Sequence, residues 1–297
     1  NLKITWKLST IDFKYIVKSW AFISIVLVGL VLMFVGLSEI GNIFGTPTLP
    51  VTWKMLNVGN IFAISINICT FLYAGMLVHR AKTDRINHLV DTTPIPNWTL
   101  LLSKVIALIK MQFVLLAVIM VSGMLFQMYN GYYDFEIGHY LIELYFLDFL
   151  HYLVWALLSI FIQTLIGNAY LGLFVLLVIS IGMPFLSLAG IEQSIFKYNE
   201  APGYDYSDMN GYGFSIGPYL WYKTYWILFG LLLLTLTALF WVRGIPFSLA
   251  ERFSIAIKRF KGVYAISFTV FLLLFLGLGF SIYQETASNG KRTSSKE

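Results

Sequence analysis

Residues Val78–Trp98 read VHRAKTDRINHLVDTTPIPNW, a polar stretch, basic at its start and closed by two prolines. It lies between two long apolar runs, which makes it a connection at a membrane surface. Arg80, Lys82 and Arg85 assign that surface to the inner side, because short connections rich in Lys and Arg stay on the cytoplasmic face. Thr83 or Asp84 is the expected cap of a short helix, with Ile86, Leu89 and Val90 as its small apolar stripe. Pro94 and Pro96 then force extended backbone, and Asn97 is the expected cap of the next span.

Composition supports the membrane reading. Of 297 residues, 58% are apolar, 17% aromatic and 12% charged, and the mean hydropathy is +0.77. A soluble domain carries about 25% charged residues, so lipid must solvate much of this surface. The net charge of +5 sits beside apolar runs, where topology and anionic lipid explain it better than nucleic acid does. The single cysteine, Cys69, rules out an intrachain disulfide.

Seven apolar runs follow in order: Trp20–Leu37, Leu56–Leu77, Trp98–Met128, Ile142–Ile166, Ala169–Leu188, Trp221–Val242 and Val263–Tyr283. About 20 helical residues cross a hydrocarbon core of roughly 30 Å. Asn57, Asn60, Asn67 and Thr70 give the second run a side that faces protein. Lys104 and Lys110, in the first half of the third, are expected to snorkel to phosphates, with contact to an anionic substrate as the alternative. Before the first run, Thr10 can cap a helix whose Phe13, Ile16, Val17 and Trp20 share one face, with Lys14 and Lys18 opposite. After the sixth, Ser248 and Glu251 match a capping box. There Leu249, Phe253, Ile257 and Phe260 form a stripe, while Arg252, Lys258, Arg259 and Lys261 reach lipid phosphates and Gly262 stops the helix.

The expected fold is therefore an all-α polytopic membrane protein with about seven transmembrane helices and interfacial amphipathic helices. Residues 1–19 form an inner interfacial helix, 20–242 a six-helix core with an outer loop at 189–220, 243–262 a basic inner helix, 263–283 a seventh crossing, and 284–297 a polar outer tail or linker. With the N-terminus inside, the inner segments hold Lys3, Lys7, Lys14, Lys18, Arg80, Lys82, Arg85, Arg243, Arg252, Lys258, Arg259 and Lys261. The outer loops hold Lys54, Lys197 and Lys223, and the outer tail adds Lys291, Arg292 and Lys296, which weigh little after the last span. That asymmetry puts the N-terminus inside and the C-terminus outside the cytoplasmic membrane.

Catalytic signatures are missing: no G-x-x-x-x-G-K-[ST], no H-E-x-x-H and no G-x-S-x-G. No enzymatic activity and no cofactor are expected of this chain itself. Two pairs stand at helical spacing at the outer end of the fourth run, His139 with Glu143 and Asp148 with His151. Glu143, Asp148 and His151 are candidate intramembrane ionisable groups for protons or a metal, set against the simpler reading of solvated or paired groups near a span end. DYSDMNG (Asp205–Gly211) partly resembles a calcium loop but lacks the closing acidic residue. His79 and His88 read as part of a solvated, charged face.

Three segments carry a family resemblance: IDFKYIVKSW (11–20), GMLVHRAKTDRINHLVDTTPIPNWTLLLSK (75–104) and YSDMNGYG (206–213). Together with six core spans and an elaborated fifth outer loop, they resemble the permeases of type 2 ABC exporters. The likeness is to the Bacteroidetes-type branch fused to an M1-family aminopeptidase, and it covers nearly the whole chain up to about Gly262. It implies an ATP-binding cassette subunit as partner, with ATP bound there, contacting Lys14, Arg80, Lys82, Asp84, Arg85, Ile86 and Leu89. It also implies a homodimer or a homologous second half, embedded in lipid and binding no nucleic acid. On this reading the chain is a segment of a longer polypeptide, with a zinc peptidase beyond an outward C-terminus. The alternatives are a membrane anchor for such an enzyme without transport, and an ion-coupled transporter using Asp148 and His151.

Overall fold

The computed structural model describes residues 2–39, 42–43, 46–47, 49–191, 193–207, 209–241, 243 and 249–288. These residues are largely helical: α1 (Leu2–Val17), α2 (Trp20–Glu39), α3 (Thr52–Gly59), α4 (Ala63–Thr83), α5 (Asn87–Asp91), α6 (Asn97–Tyr129), α7 (Ile137–Ile142), α8 (Phe149–Leu165), α9 (Ala169–Phe185), α10 (Ile216–Phe240), α11 (Leu249–Arg259) and α12 (Val263–Ser288). A 3-10 turn, Asn60–Phe62, joins α3 to α4, and a π-helical segment, Glu143–Asp148, joins α7 to α8. Between α2 and α3, β1 (Asn42–Ile43) pairs antiparallel with β2 (Thr46–Pro47).

Among the described residues, six helical runs are long and apolar enough to cross a membrane: Trp20–Ser38, Thr52–Thr83, Asn97–Tyr129, Ile137–Leu165, Ile216–Phe240 and Val263–Thr286. The protein is thus a multi-pass membrane protein. α9, which corresponds to the expected fifth crossing, is apolar but has only 17 residues. At 1.5 Å per residue it measures about 25 Å, short of a core of roughly 30 Å. Pro184 stands in its last turn, and Gly190 (φ 84°) follows in a left-handed conformation that ends the turn beyond it.

The described chain divides into two compact units, Asn1–Tyr73 with Leu102–Ala156, and Ala74–Leu101 with Leu157–Glu297. In the first unit, Gly29 lets α2 approach closely, since a Cβ there would lie 2.5 Å from Ser65 Oγ and 2.7 Å from the Phe62 ring. Small residues give helices such contacts in lipid, where no hydrophobic force drives them together. Also in this unit, the buried Gln127 donates to Pro50 O at 2.9 Å and accepts from Tyr140 Oη at 3.1 Å.

The buried face of α1 is Thr5, Ser9, Asp12 and Ile16, while Leu2, Ile4, Trp6 and Ile11 are exposed. The expected face of Phe13, Ile16, Val17 and Trp20 is therefore not the buried one. The polar groups turn inward to protein partners and the apolar ones outward, as suits a helix whose outer solvent is lipid. Thr10 is no cap: the helix begins at Leu2, and the Thr10 hydroxyl donates to Trp6 O at 2.8 Å inside it.

In the second unit, α10 packs on α12 through Tyr225 stacked on Phe275, centroids 4.4 Å apart. The loop between α9 and α10 folds back on α10. Lys223, 2% exposed, donates to the backbone and side-chain oxygens of Asn199 at 2.8 and 2.9 Å, and Trp226 Nε1 donates to Glu200 O. Tyr198 packs edge-on against Trp226 and Phe229, and burial pushes its phenol well above the ordinary value of 10.

Candidate functional site

The basic loop belongs to the second unit. No residue breaks the helical pattern after Leu77, and α4 runs on to Thr83, six residues past the expected end of the span. Arg85 then takes a left-handed conformation, φ 57°. Its amide bonds Lys82 O at 3.1 Å, and the Ile86 amide bonds Ala81 O at 2.9 Å. That pair of bonds is the helix-ending motif normally built on glycine. A non-glycine residue there costs about 1 kcal/mol or more.

The short helix α5 follows, preceded by Ile86 with no side-chain cap. Neither Thr83 nor Asp84 caps it. The Thr83 hydroxyl donates back to His79 O, and Asp84 pairs with Arg80 at 3.3 Å along α4. At the far end, the Thr92 and Thr93 hydroxyls donate to Leu89 O and Val90 O. Lys82, Arg85 and His88 are exposed, Ile86 is 40% exposed and Leu89 71%. The result is a small apolar tip ringed by base.

The proline segment behind this tip is strapped down. The Arg243 guanidinium donates to Thr93 O at 3.2 Å and also to Ile95 O. Asn97 is already helical, and its amide reaches Trp241 O at 3.5 Å. Pro96 O accepts the first amides of α6 instead. Trp98 stacks on Tyr264, centroids 5.6 Å apart. Arg259 also donates to Trp241 O, at 2.9 Å.

The α11 stripe of Phe253, Ile257 and Phe260 is exposed, as are Lys258 and Lys261. Arg252 instead donates to Thr164 O at 3.1 Å, close to the C-terminal end of α8, where a cation meets the negative end of the helix. Ser248 of the expected capping box lies outside the described residues. His79 is not on a solvated face: it is half-buried and faces the backbone of Gln163 and Ile166.

In the first unit, Lys14 is exposed on α1. Lys104 Nζ lies 2.7 Å from Asp12 Oδ2. Lys110 Nζ donates to Ser9 Oγ and Thr10 Oγ1, both at 2.9 Å, and sits 3.6 Å from the centre of the Trp6 ring. Both lysines tie α1 to α6.

His139 Nε2 meets Glu143 Oε2 at 2.9 Å, with Glu136 Oε2 3.6 Å from Nδ1. These are groups paired with one another. Asp148 closes the π-helical segment, and His151 stands edge-on to Tyr152. Among the described residues no group of three or more His, Cys, Asp or Glu could hold a metal ion. In the DYSDMNG segment, Ser207 and Gly211 bond each other through their backbones, while Asp208 lies outside the described residues.

Three glutamines in apolar helices, Gln112, Gln127 and Gln163, are not among the residues expected to be functional. All three are fully buried. A Gln within an apolar run is the signal that would have found them, since lipid does not tolerate its amide without partners.

No family model matches the sequence, and no curated protein sequence matches it.

Proposed function

We propose that the chain is the permease half of an ABC-2-like exporter, driven by a separate ATP-binding subunit that docks on the tip of the 78–98 loop. The observation that carries this reading is Arg85. A left-handed helix stop that glycine would make at lower cost is occupied by an exposed, charged side chain, and Leu89 stands exposed just beyond it. Strain retained beside an exposed apolar residue fits a contact made with a partner. The strap from Arg243 to Thr93 and Ile95 would make the tip a lever, because a push on α5 meets fixed backbone behind it. In the first unit, α1 with Lys14 would be a second contact, its motion passed to α6 through Lys104 and Lys110.

On this reading α9 is the fifth of seven crossings, the N-terminus is cytoplasmic, the C-terminus lies outside, and two copies or two homologous halves enclose the path. The test is co-purification of the full-length protein with an ATP-binding subunit in mild detergent. Arg85→Glu or Leu89→Asp should abolish it without loss of folded protein. Absence of any associated ATPase in the wild type sinks the proposal.

A second reading is an anchor for an outer M1-type aminopeptidase domain, with no transport. It is favoured by α12, whose apolar stretch is the least buried of the six, as a crossing that serves to carry the chain outward would be. Full-length protein with peptidase activity but no bound ATPase would select it.

A further inference from the structure

The middle of the first unit holds polar groups that its own atoms leave half-satisfied. Gln112, Thr70 and Tyr152 lie near the centres of three apolar runs, Asn97–Tyr129, Thr52–Thr83 and Ile137–Leu165. Gln112 is fully buried. Its Nε2 donates to Tyr152 O at 3.0 Å and to Thr70 Oγ1 at 3.2 Å. A backbone carbonyl can only accept, so this contact fixes which end of the amide is nitrogen. Thr70 spends its own proton on Ile66 O at 2.8 Å. Gln112 Oε1 is then buried with no donor among the described residues, and so is Asn67 Oδ1. Asn67 precedes Thr70 by three residues on α4, which puts the two on one helix face.

The unmet demand is all of one kind. Both oxygens accept, and the Thr70 hydroxyl proton is already used. Bare groups of this kind are strongly disfavoured in hydrocarbon, where no water can satisfy them. An anion would be repelled by the same oxygens. A divalent cation would lose its water for neutral amides with no carboxylate in return, which hard dications do not favour. Neutral carbonyl and hydroxyl oxygens at mid-membrane are the ligands that suit an alkali cation.

We propose that Gln112 Oε1 and Asn67 Oδ1, beside Thr70, form a binding site for an alkali cation, sodium or potassium, at the centre of the first unit. The site does not depend on an ATP-binding partner. The cation draws α4 and α6 together by bridging an amide from each.

The experiment is thermal unfolding of the detergent-solubilised protein in sodium, potassium or choline chloride at equal ionic strength, so that screening is the same in all three. At about ten times the dissociation constant, an alkali salt should raise Tm by about 3 °C over choline, saturably. Gln112→Leu removes the central oxygen and should erase that increment. Asn67→Leu leaves both donations of Gln112 intact and should reduce it, which keeps the test valid if the first variant does not fold. Equal Tm in all three salts, the result expected of a buried water alone, overturns the proposal. So does an increment that survives in Asn67→Leu and in any folded Gln112→Leu.

Discussion

Lys104 Nζ and Asp12 Oδ2 lie 2.7 Å apart, although 92 positions separate them in sequence. The Asp12 side chain is 5% exposed and that of Lys104 17%, so the pair is largely desolvated. Removing one partner of such a pair strands the other. Lys104→Met should cost about 3 kcal/mol, read as a lower unfolding midpoint in denaturant. Adding Asp12→Asn to it should recover part of the loss. A double-mutant cycle with no coupling would show that α1 is held by its other contacts alone.

Arg85→Gly relieves a left-handed non-glycine residue. It should stabilise the end of α4 by about 1 kcal/mol, measured as slower amide hydrogen exchange over residues 80–86. If the charged side chain makes a partner contact, the same variant loses it. Greater local stability with weaker partner binding is the expected combination.

Gln163 is wedged between two glycines. A Cβ on Gly75 would lie 2.7 Å from Gln163 Nε2, and one on Gly172 would press on Gln163 Oε1. Gly172→Ala should therefore destabilise by about 1–3 kcal/mol, the usual cost of overpacking. Shortening the clashing side chain with Gln163→Ala in the same protein should restore part of it. Thermal unfolding of the two variants against wild type decides this.

Orientation can be read with cysteines. The native Cys69 is buried, so its background labelling should be low. In intact cells a membrane-impermeant maleimide should modify Tyr133→Cys and Phe214→Cys, and spare Lys82→Cys until the membrane is opened. The reverse pattern would invert the assigned topology.

Tyr198 gives a pH dependence. Its folded pKa lies above the ordinary value of 10, because burial disfavours the phenolate. The unfolded chain therefore releases this proton first as pH rises. The stability that Tyr198 confers is full below about pH 10 and declines above it. Tyr198→Phe should flatten the alkaline fall in Tm between about pH 9 and 11, while an unchanged slope would mean other groups control it.

How far the sequence could be read differs by element. The apolar runs are legible because about 20 predominantly apolar residues have few soluble alternatives, and their helices begin and end within about two turns of the expected bounds. The helix ends were harder. Thr10, Thr83 and Asn97 look like caps, yet each sits within a helix, because a hydroxyl or amide can equally bond a carbonyl one turn back or a distant strand of backbone. Of the candidate coupling residues, the sequence marked Arg85 by its charge alone. Its left-handed backbone has no sequence signal at a non-glycine residue. Arg252 was assigned to phosphates and His79 to a solvated surface, and both are turned inward to helix α8.

The sequence alone determined that this is a multi-pass helical membrane protein, because the free energy of placing apolar residues in lipid depends on composition and run length, both of which are local. Tertiary structure alone decided where the polar residues inside those runs go. Whether Lys104 meets a phosphate or Asp12, and whether Gln112 faces lipid or Tyr152 O, depends on which helices become neighbours. That follows from close packing and paired hydrogen bonds between segments far apart in the chain, and no single run records it.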